Sequence, residues 1–335
     1  MSILDVFRTD AFSTLRLTDA VNKMPFVPGR ARRLGIFVES GITTTTIAVE
    51  ERDGFLKLLP DRARGAPADQ FEVKKRNLRD LRVPHFMLDD TVTADELQDA
   101  RAFGSEMALE GVQQVVNQRL GEMMSSHDAT VEFGSIGAIK GIILDADGTT
   151  VIHDLFQIFG ITQTSVDFVL GTAATKIRKK LFEVKRAIEV ALGAATFERI
   201  HGFAGKTWFE RYISHADVEK AFDRFQDGAR LRDDPRFQGF EFADVTIEEY
   251  RGKVSGIDFV ADSEVHFFPI GVPNLFKSYF APADFMEAVN TVGLPRYAKQ
   301  APDTKFNRFV ELHTQSNPLS ICVRPAVLVK GTTSN

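Results

Sequence analysis

The chain has 335 residues, of which 44% are hydrophobic and 26% charged, with 41 basic and 46 acidic side chains and a net charge of −5. This is the composition of an ordinary globular protein of one large or two interleaved domains, and it excludes a general polyanion binder, which needs a basic excess. The lone cysteine, Cys322, excludes an internal disulfide and fits a reducing compartment, and no run approaches the roughly 20 apolar residues that span a bilayer.

Residues 1–33 mix isolated apolar positions with six Lys or Arg and three acids, and no long period holds. The start, "MSILDVFRTDAFS", carries Asp5 and no sustained apolar core, so a secretory signal is not expected. The segment reads as an arm that gains order from a partner, with a short amphipathic helix near 11–22. Residues 35–60, "GIFVESGITTTTIAVEERDGFLKLLP", are β-branched with Ser-Gly at 40–41 and Asp-Gly at 53–54, which predicts strand, turn, strand, turn, strand. Between 61 and 82 there are seven basic residues, four acids and few apolar ones. Such a stretch cannot bury itself, so it predicts an exposed loop projecting from the strands beside it.

The period then turns helical. Leu109, Val112, Val116, Leu120 and Met123 fall at spacings of 3 and 4, one apolar stripe along a helix of about five turns near 105–124. A second helix is expected at "DATVEFGSIGAI", and a third at 176–192, with Ile177, Leu181, Val184, Ile188 and Leu192 inward and Gly193 closing it. Another is expected at 215–225, with Ser214 and Asp217 as capping box, and a short one from Pro282. Strands are expected at "VTIEEYRG", "SGIDFVAD", "EVHFFPIG" and in a closing pair, "RFVELHT" and "LSICVRPAVLVKG". Helices and strands alternate without a βαβ rhythm, so the fold class is α+β. Phenylalanine is abundant at 29 against one Trp, which implies large apolar cores or interfaces.

One stretch offers chemistry. "IILDADGTTVIHDL", 142–155, places Asp145 and Asp147 two residues apart behind an apolar run, the opening of a haloacid-dehalogenase-like phosphatase. That enzyme needs its nucleophile at the end of a buried parallel strand, plus a Ser or Thr, a Lys and an acidic pair for magnesium. Asp262, Ser263 and Lys253 stand in the wrong company for those roles, and no strong helix follows the aspartates directly. The competing reading is a hairpin with a type I′ Asp147–Gly148 turn, which pairs Leu144 with Val151 and Ile143 with Ile152, apolar on apolar. The seven histidines show no metal-ligand spacing, "IRKK" at 177–180 reads as a solvated helix face, and the Gly-rich phosphate loop and Gly-x-Ser-x-Gly elbow are absent. No catalytic residue, cofactor or metal is expected.

The order of parts, together with "LGIFVESGITTTTIAVEE" (34–51), "LKLLPDRARGAP" (56–67), "RAFGSE" (101–106), "TVEFGSIGAIKGIILDADGTTV" (130–151) and "RPAVLV" (324–329), resembles the lambda-type major capsid protein E family of tailed phages. The resemblance runs nearly end to end. It implies the Hong Kong 97 type fold, with an N-terminal arm at 1–33, an extended β-ribbon loop at 34–85, a peripheral domain with its spine helix at 86–154, an axial domain at 155–305 and a return to the peripheral domain at 306–335. It implies a virion protein, assembled in the host cytoplasm into hexamers and pentamers around a scaffold protein. A portal, packaged DNA bound without sequence specificity and, in some members, a decoration protein would be its partners. Loop residues Arg62, Arg64, Lys74, Lys75, Arg76, Arg79 and Arg82 could then pair between subunits with Asp89, Asp90, Asp95, Glu96 and Asp99; solvation of both sets is the alternative.

Overall fold

The computed structural model describes residue 7 and residues 12–24, 29–51, 77–98, 108–193, 195–224 and 240–334. In chain order the first elements are helices α1 (Thr14–Lys23) and α2 (Arg30–Arg33), then strands β1 (Phe37–Gly41), β2 (Thr46–Glu51), β3 (Asn77–Arg82) and β4 (Phe86–Thr93). Helices α3 (Ala94–Gln98) and α4 (Ala108–Lys140) follow, with β5 (Ile142–Leu144), β6 (Val151–Asp154), α5 (Leu155–Phe159) and β7 (Thr164–Asp167). Next come α6 (Ile177–Leu192), β8 (Arg199–Ala204), α7 (Lys206–Ile213) and α8 (Ala216–Arg224). The rest is mostly strand: β9 (Phe240–Phe242), β10 (Val245–Glu249), β11 (Lys253–Val254), β12 (Ile257–Asp258), β13 (Glu264–Ile270) and β14 (Phe276–Phe280). It closes with β15 (Tyr297–Pro302), β16 (Phe309–Ser316), β17 (Pro318–Cys322) and β18 (Val329–Thr332). Contacts divide the chain into one unit of 1–47, 82–135 and 277–320 and another of 48–81, 136–276 and 321–335.

In the first unit, Val112, Val116, Leu120 and Met123 of α4 are buried, as their spacing predicts. They form one core with Val92, Val310 and Leu312 of the antiparallel sheet β15–β16–β4 and with Leu17 and Val21 of α1. Strand alternation sends the residues between them the other way. Lys299, His313 and Asp89 stand in one cross-strand row of that outer face, and Ala301, Glu311 and Thr91 in the next.

Helix α1 corrects the reading of the whole arm as waiting for a partner. Its Leu17, Thr18 and Val21 are buried, and Ser13 caps it by accepting from the Arg16 amide. Arg296 donates to the carbonyls of Val21 and Met24 at 3.0 and 3.3 Å and pairs with Asp128 at 2.5 Å. This piece therefore docks on its own chain.

The two helices expected on either side of 125 are one, 33 residues long. The polar run that suggested a break is accommodated locally: the hydroxyls of Ser125, Ser126, Thr130 and Ser135 each bond the carbonyl four residues back, so they need no other partner in the helix. Gly137 allows close approach, since an added Cβ would lie 3.1 Å from the Ile143 Cα. Gly141, at φ +81°, ends the helix.

The second unit centres on a mixed six-stranded sheet, β7–β18–β13–β8–β10–β9. Helix α6 buries Ile177, Leu181, Val184, Ile188 and Leu192 and is closed by Gly193, as its pattern predicts. Phenylalanine earns its abundance here: Phe168 packs edge-on against Trp208 and face-on against Phe267, and Trp208 stacks on Tyr212.

Several connections differ from expectation. Strand β1 runs through Gly41 and shares a sheet with β14 and β17, while β2 pairs with β3, so Ser40–Gly41 is no hairpin turn. The closing strands β16 and β17 belong to different sheets, because Asn317–Pro318 switches the chain from one to the other. Strand β18 joins β13 and β7 in the second unit, and residues 277–320 count with the first unit. Helix α8 is capped by the His215 ring, which accepts from the Asp217 amide at 3.2 Å, and not by Ser214. Pro282 starts no helix; a 3₁₀ turn forms at Met286–Ala288 instead. No helix among the described residues is long and apolar enough to cross a membrane.

Candidate assembly surface

The paired aspartates are settled by their geometry. β5 and β6 form an antiparallel hairpin, so Asp145 does not end a buried parallel strand. Leu144 does face Val151, but a bulge shifts the register beyond it, and Ile143 meets His153 instead of Ile152. The turn is not type I′ either, since only Gly148 has positive φ, at +70°. The Asp147 carboxylate accepts from the amides and hydroxyls of both Thr149 and Thr150, at 2.6 to 3.0 Å. Those bonds hold its pKa well below the usual carboxylate range, with the Thr150 hydroxyl the largest cause. A carboxylate so saturated is a turn clasp. Lys253 is bound to Asp258 at 3.1 Å across the β11–β12 ribbon.

Of the basic residues singled out in the loop, Arg62, Arg64, Lys74, Lys75 and Arg76 lie outside the described residues, as does Asp99. Arg79, on β3, lies over the Phe159 ring at 5.6 Å within its own unit, and Arg82 ends the strand exposed. The acids divide into two kinds. Glu96 accepts from the Thr93 amide at 3.0 Å while the Thr93 hydroxyl accepts from the Glu96 amide at 3.4 Å, a capping box for α3 that "TADE" could have revealed. Arg119 of α4 reaches both Glu96, at 2.7 Å, and Asp90, at 3.5 Å. The Thr93 amide first, then Arg119, lower the Glu96 pKa. Glu96 and Asp90 are thus engaged inside the chain. Asp95 is exposed in the first turn of α3, and Asp89 faces out from the sheet, hydrogen-bonded to His313.

That outer face is a shallow cleft of about 470 Å³ lined by Asp89, Thr91, Phe285, Lys299, Glu311 and His313. Its one lysine is already compensated, for Lys299 pairs with Glu287 at 2.8 Å and lies over Phe285. Asp89 and Glu311 are exposed, so the face is acidic. Glu311, His313 and Arg119 carry no local signal in the sequence: strand register sets Glu311 and His313 beside Asp89 and Thr91, and the packing of α4 brings Arg119 to Asp90 and Glu96.

Behind the cleft the polar groups are structural. His127 is buried on α4 with its Nε2 2.9 Å from the Thr314 hydroxyl, and burial lowers its pKa to about 4. Glu132 accepts from the amides of Ala31 and Arg32, and Arg32 also pairs with Glu39. Among the described residues no group of His, Cys, Asp and Glu stands close enough to hold a metal ion.

A family model described as phage major capsid protein E matches residues 13–333. The chain belongs to that capsid protein E family. It is 31% identical to the major capsid protein of Pseudomonas phage KPP10, over 96% of both chains, and 24% identical to that of Salmonella phage Felix O1, over 93% of this chain and 94% of the other. The capsid fold agrees: the crystal structure of a putative capsid protein of an Escherichia coli CFT073 prophage superposes with a TM-score of 0.60 at 13% identity, covering 96% of this chain and 99% of that one. A capsid E protein of α+β, Hong Kong 97 type architecture is a structural component of the phage shell, and the phosphatase reading of Asp145 and Asp147 is set aside by the family as well as by the hairpin.

Proposed function

We propose that this capsid subunit locks its neighbours by laying the segment between β2 and β3, residues 52–76, on the acidic outer face of the β15–β16–β4 sheet of an adjacent copy. The observation that supports it is the pairing of β2 with β3, which makes the segment leave and re-enter at adjacent strand ends. Arg62, Arg64, Lys74, Lys75 and Arg76 give it a basic character matched by Asp89 and Glu311. Asp95 extends the acidic edge, while Asp90 and Glu96 remain with Arg119. In this reading α4 is the spine of a peripheral domain and the six-stranded sheet the core of an axial domain. Hexamers and pentamers assemble in the host cytoplasm on a scaffold protein, join a portal, enclose double-stranded DNA without reading its sequence, and take any decoration protein outside.

Replacing residues 55–74 by a short Gly-Ser linker tests the clamp. The two strands stay joined and the loop-closure term changes by less than about 1 kcal/mol, so the chain should fold. Sedimentation and electron microscopy should then find soluble subunits without shells. Reversing Lys74, Lys75 and Arg76 to Glu should impair assembly, and reversing Asp89 and Glu311 to Lys should partly restore it. Shells of the linker variant at wild-type yield would contradict the clamp.

A further inference from the structure

Between β14 and β15 the first unit presents a run of apolar side chains that none of the described residues covers. Met286 is 91% exposed, Val289 59%, Val292 60% and Leu294 41%, four large aliphatic side chains within nine residues. Scattered exposed aliphatics are ordinary, but four concentrated in one short segment point to a contact surface.

The strip is held in place firmly. The Gly293 amide donates to the Ile42 carbonyl at 2.8 Å, and the Ile42 amide to the Phe280 carbonyl at 2.9 Å, so the segment is tied to the ends of β1 and β14. Both glycines at this crossing are sterically required: an added Cβ at Gly41 would lie 2.2 Å from the Gly293 carbonyl oxygen, and one at Gly293 2.0 Å from that of Phe280. The Tyr297 hydroxyl accepts from the Leu294 amide at 2.8 Å, and the Ala288 and Thr291 amides close turns on Phe285 and Ala288. The aliphatic side chains are therefore displayed by a fixed backbone, and docking on them orders little further.

Charge points to the occupant. From Phe285 to Leu294 the only ionisable residue is Glu287, and Lys299 neutralises it from the adjoining strand at 2.8 Å. Two copies of one surface carry the same net charge, so a contact between them is favoured where that net charge is near zero. This strip meets that condition, whereas the acidic cleft beside it does not. Size points the same way. The four side chains expose roughly 400 Å², about half of the ~800 Å² per partner of a stable free-standing complex. A contact of that size holds only where it is repeated and closed by other contacts, as in a shell.

We propose that Met286, Val289, Val292 and Leu294 form a self-complementary contact in which the strips of neighbouring copies of this chain meet around a symmetry axis of the shell. The inference rests on the shell-forming role and is independent of the 52–76 clamp. It assigns a second intersubunit surface, apolar where the clamp is ionic, so the two differ in their response to salt: screening weakens the clamp and leaves this contact in place.

The test uses the full chain. Val289→Ser with Val292→Ser changes exposed positions only, so the variant should fold and melt as wild type while its shell yield falls roughly tenfold. A positional readout backs this up. Met286→Cys supplies one accessible thiol, since the native Cys322 is buried. A short bis-maleimide added to assembled shells should link copies of the chain to each other, and added to dissociated subunits should label them singly. Shells of the double variant at wild-type yield, thiols labelled singly within intact shells, or links to a different particle protein would each overturn the proposal. Wild-type shells serve as control, so a failure of the shell-forming role itself shows as no shells in any arm, and a failure of the clamp alone shows only in the linker variant.

Discussion

Single residues decide how this subunit answers to acid. His127 is buried against the Thr314 hydroxyl, and desolvation first, then the Arg296 charge, lower its pKa from 6.5 to about 4. The folded chain therefore holds the ring neutral where the unfolded chain begins to protonate it. Its contribution to stability is complete above pH 6.5 and is lost as pH falls towards 4, below which both states carry the proton. His266, lowered by burial in the second unit, acts with the same sign. Glu264 titrates in a separate window: the nearby His266 ring and the bond from Lys330 bring it to about 2, so its contribution is lost between about 4.5 and 2. Thermal melting of subunits from pH 7 to 4 should show a falling midpoint, and His127→Gln, which keeps a hydrogen bond to Thr314, should make the slope shallower. An unchanged slope would mean the ring is already satisfied as a cation.

Elements show how far sequence carries. Helix α6 was fully legible, because Ile177, Leu181, Val184, Ile188 and Leu192 keep one period and Gly193 sits where a left-handed residue ends the helix. The inward stripe of α4 was legible too. Its continuation past Ser125 was not, since hydroxyls returning to the fourth carbonyl back leave no mark in the hydrophobic pattern. Pairing was the least legible. Whether β1 joins β2 or β14, and whether β16 joins β17, depends on contacts far apart in sequence that local alternation does not encode. The candidate surface suffered for the same reason: Asp90 and Glu96 were chosen by charge, while Arg119, which occupies both, comes from another helix. The core stripe allows a direct test. Leu120 is fully buried, so Leu120→Ala should cost about 2–4 kcal/mol and lower the denaturation midpoint, whereas a change near zero would place that side of α4 outside the core.

At the scale of the molecule, the proposed contacts differ in kind. In the proposed shell, the acidic sheet face, the basic segment between β2 and β3 and the neutral apolar strip would be three different kinds of contact on one chain. The apolar strip is small for a free-standing complex, and repetition around a closed shell lets small contacts hold. The net charge of −5 suits the proposed DNA container, since a strongly basic lining would retain the DNA. The most direct measurement is electron microscopy of the purified full-length chain over a range of concentrations. Closed shells or curved sheets of many copies, appearing cooperatively above a threshold concentration, are the predicted result; a small discrete particle of one or two copies at every concentration would contradict a shell-forming subunit.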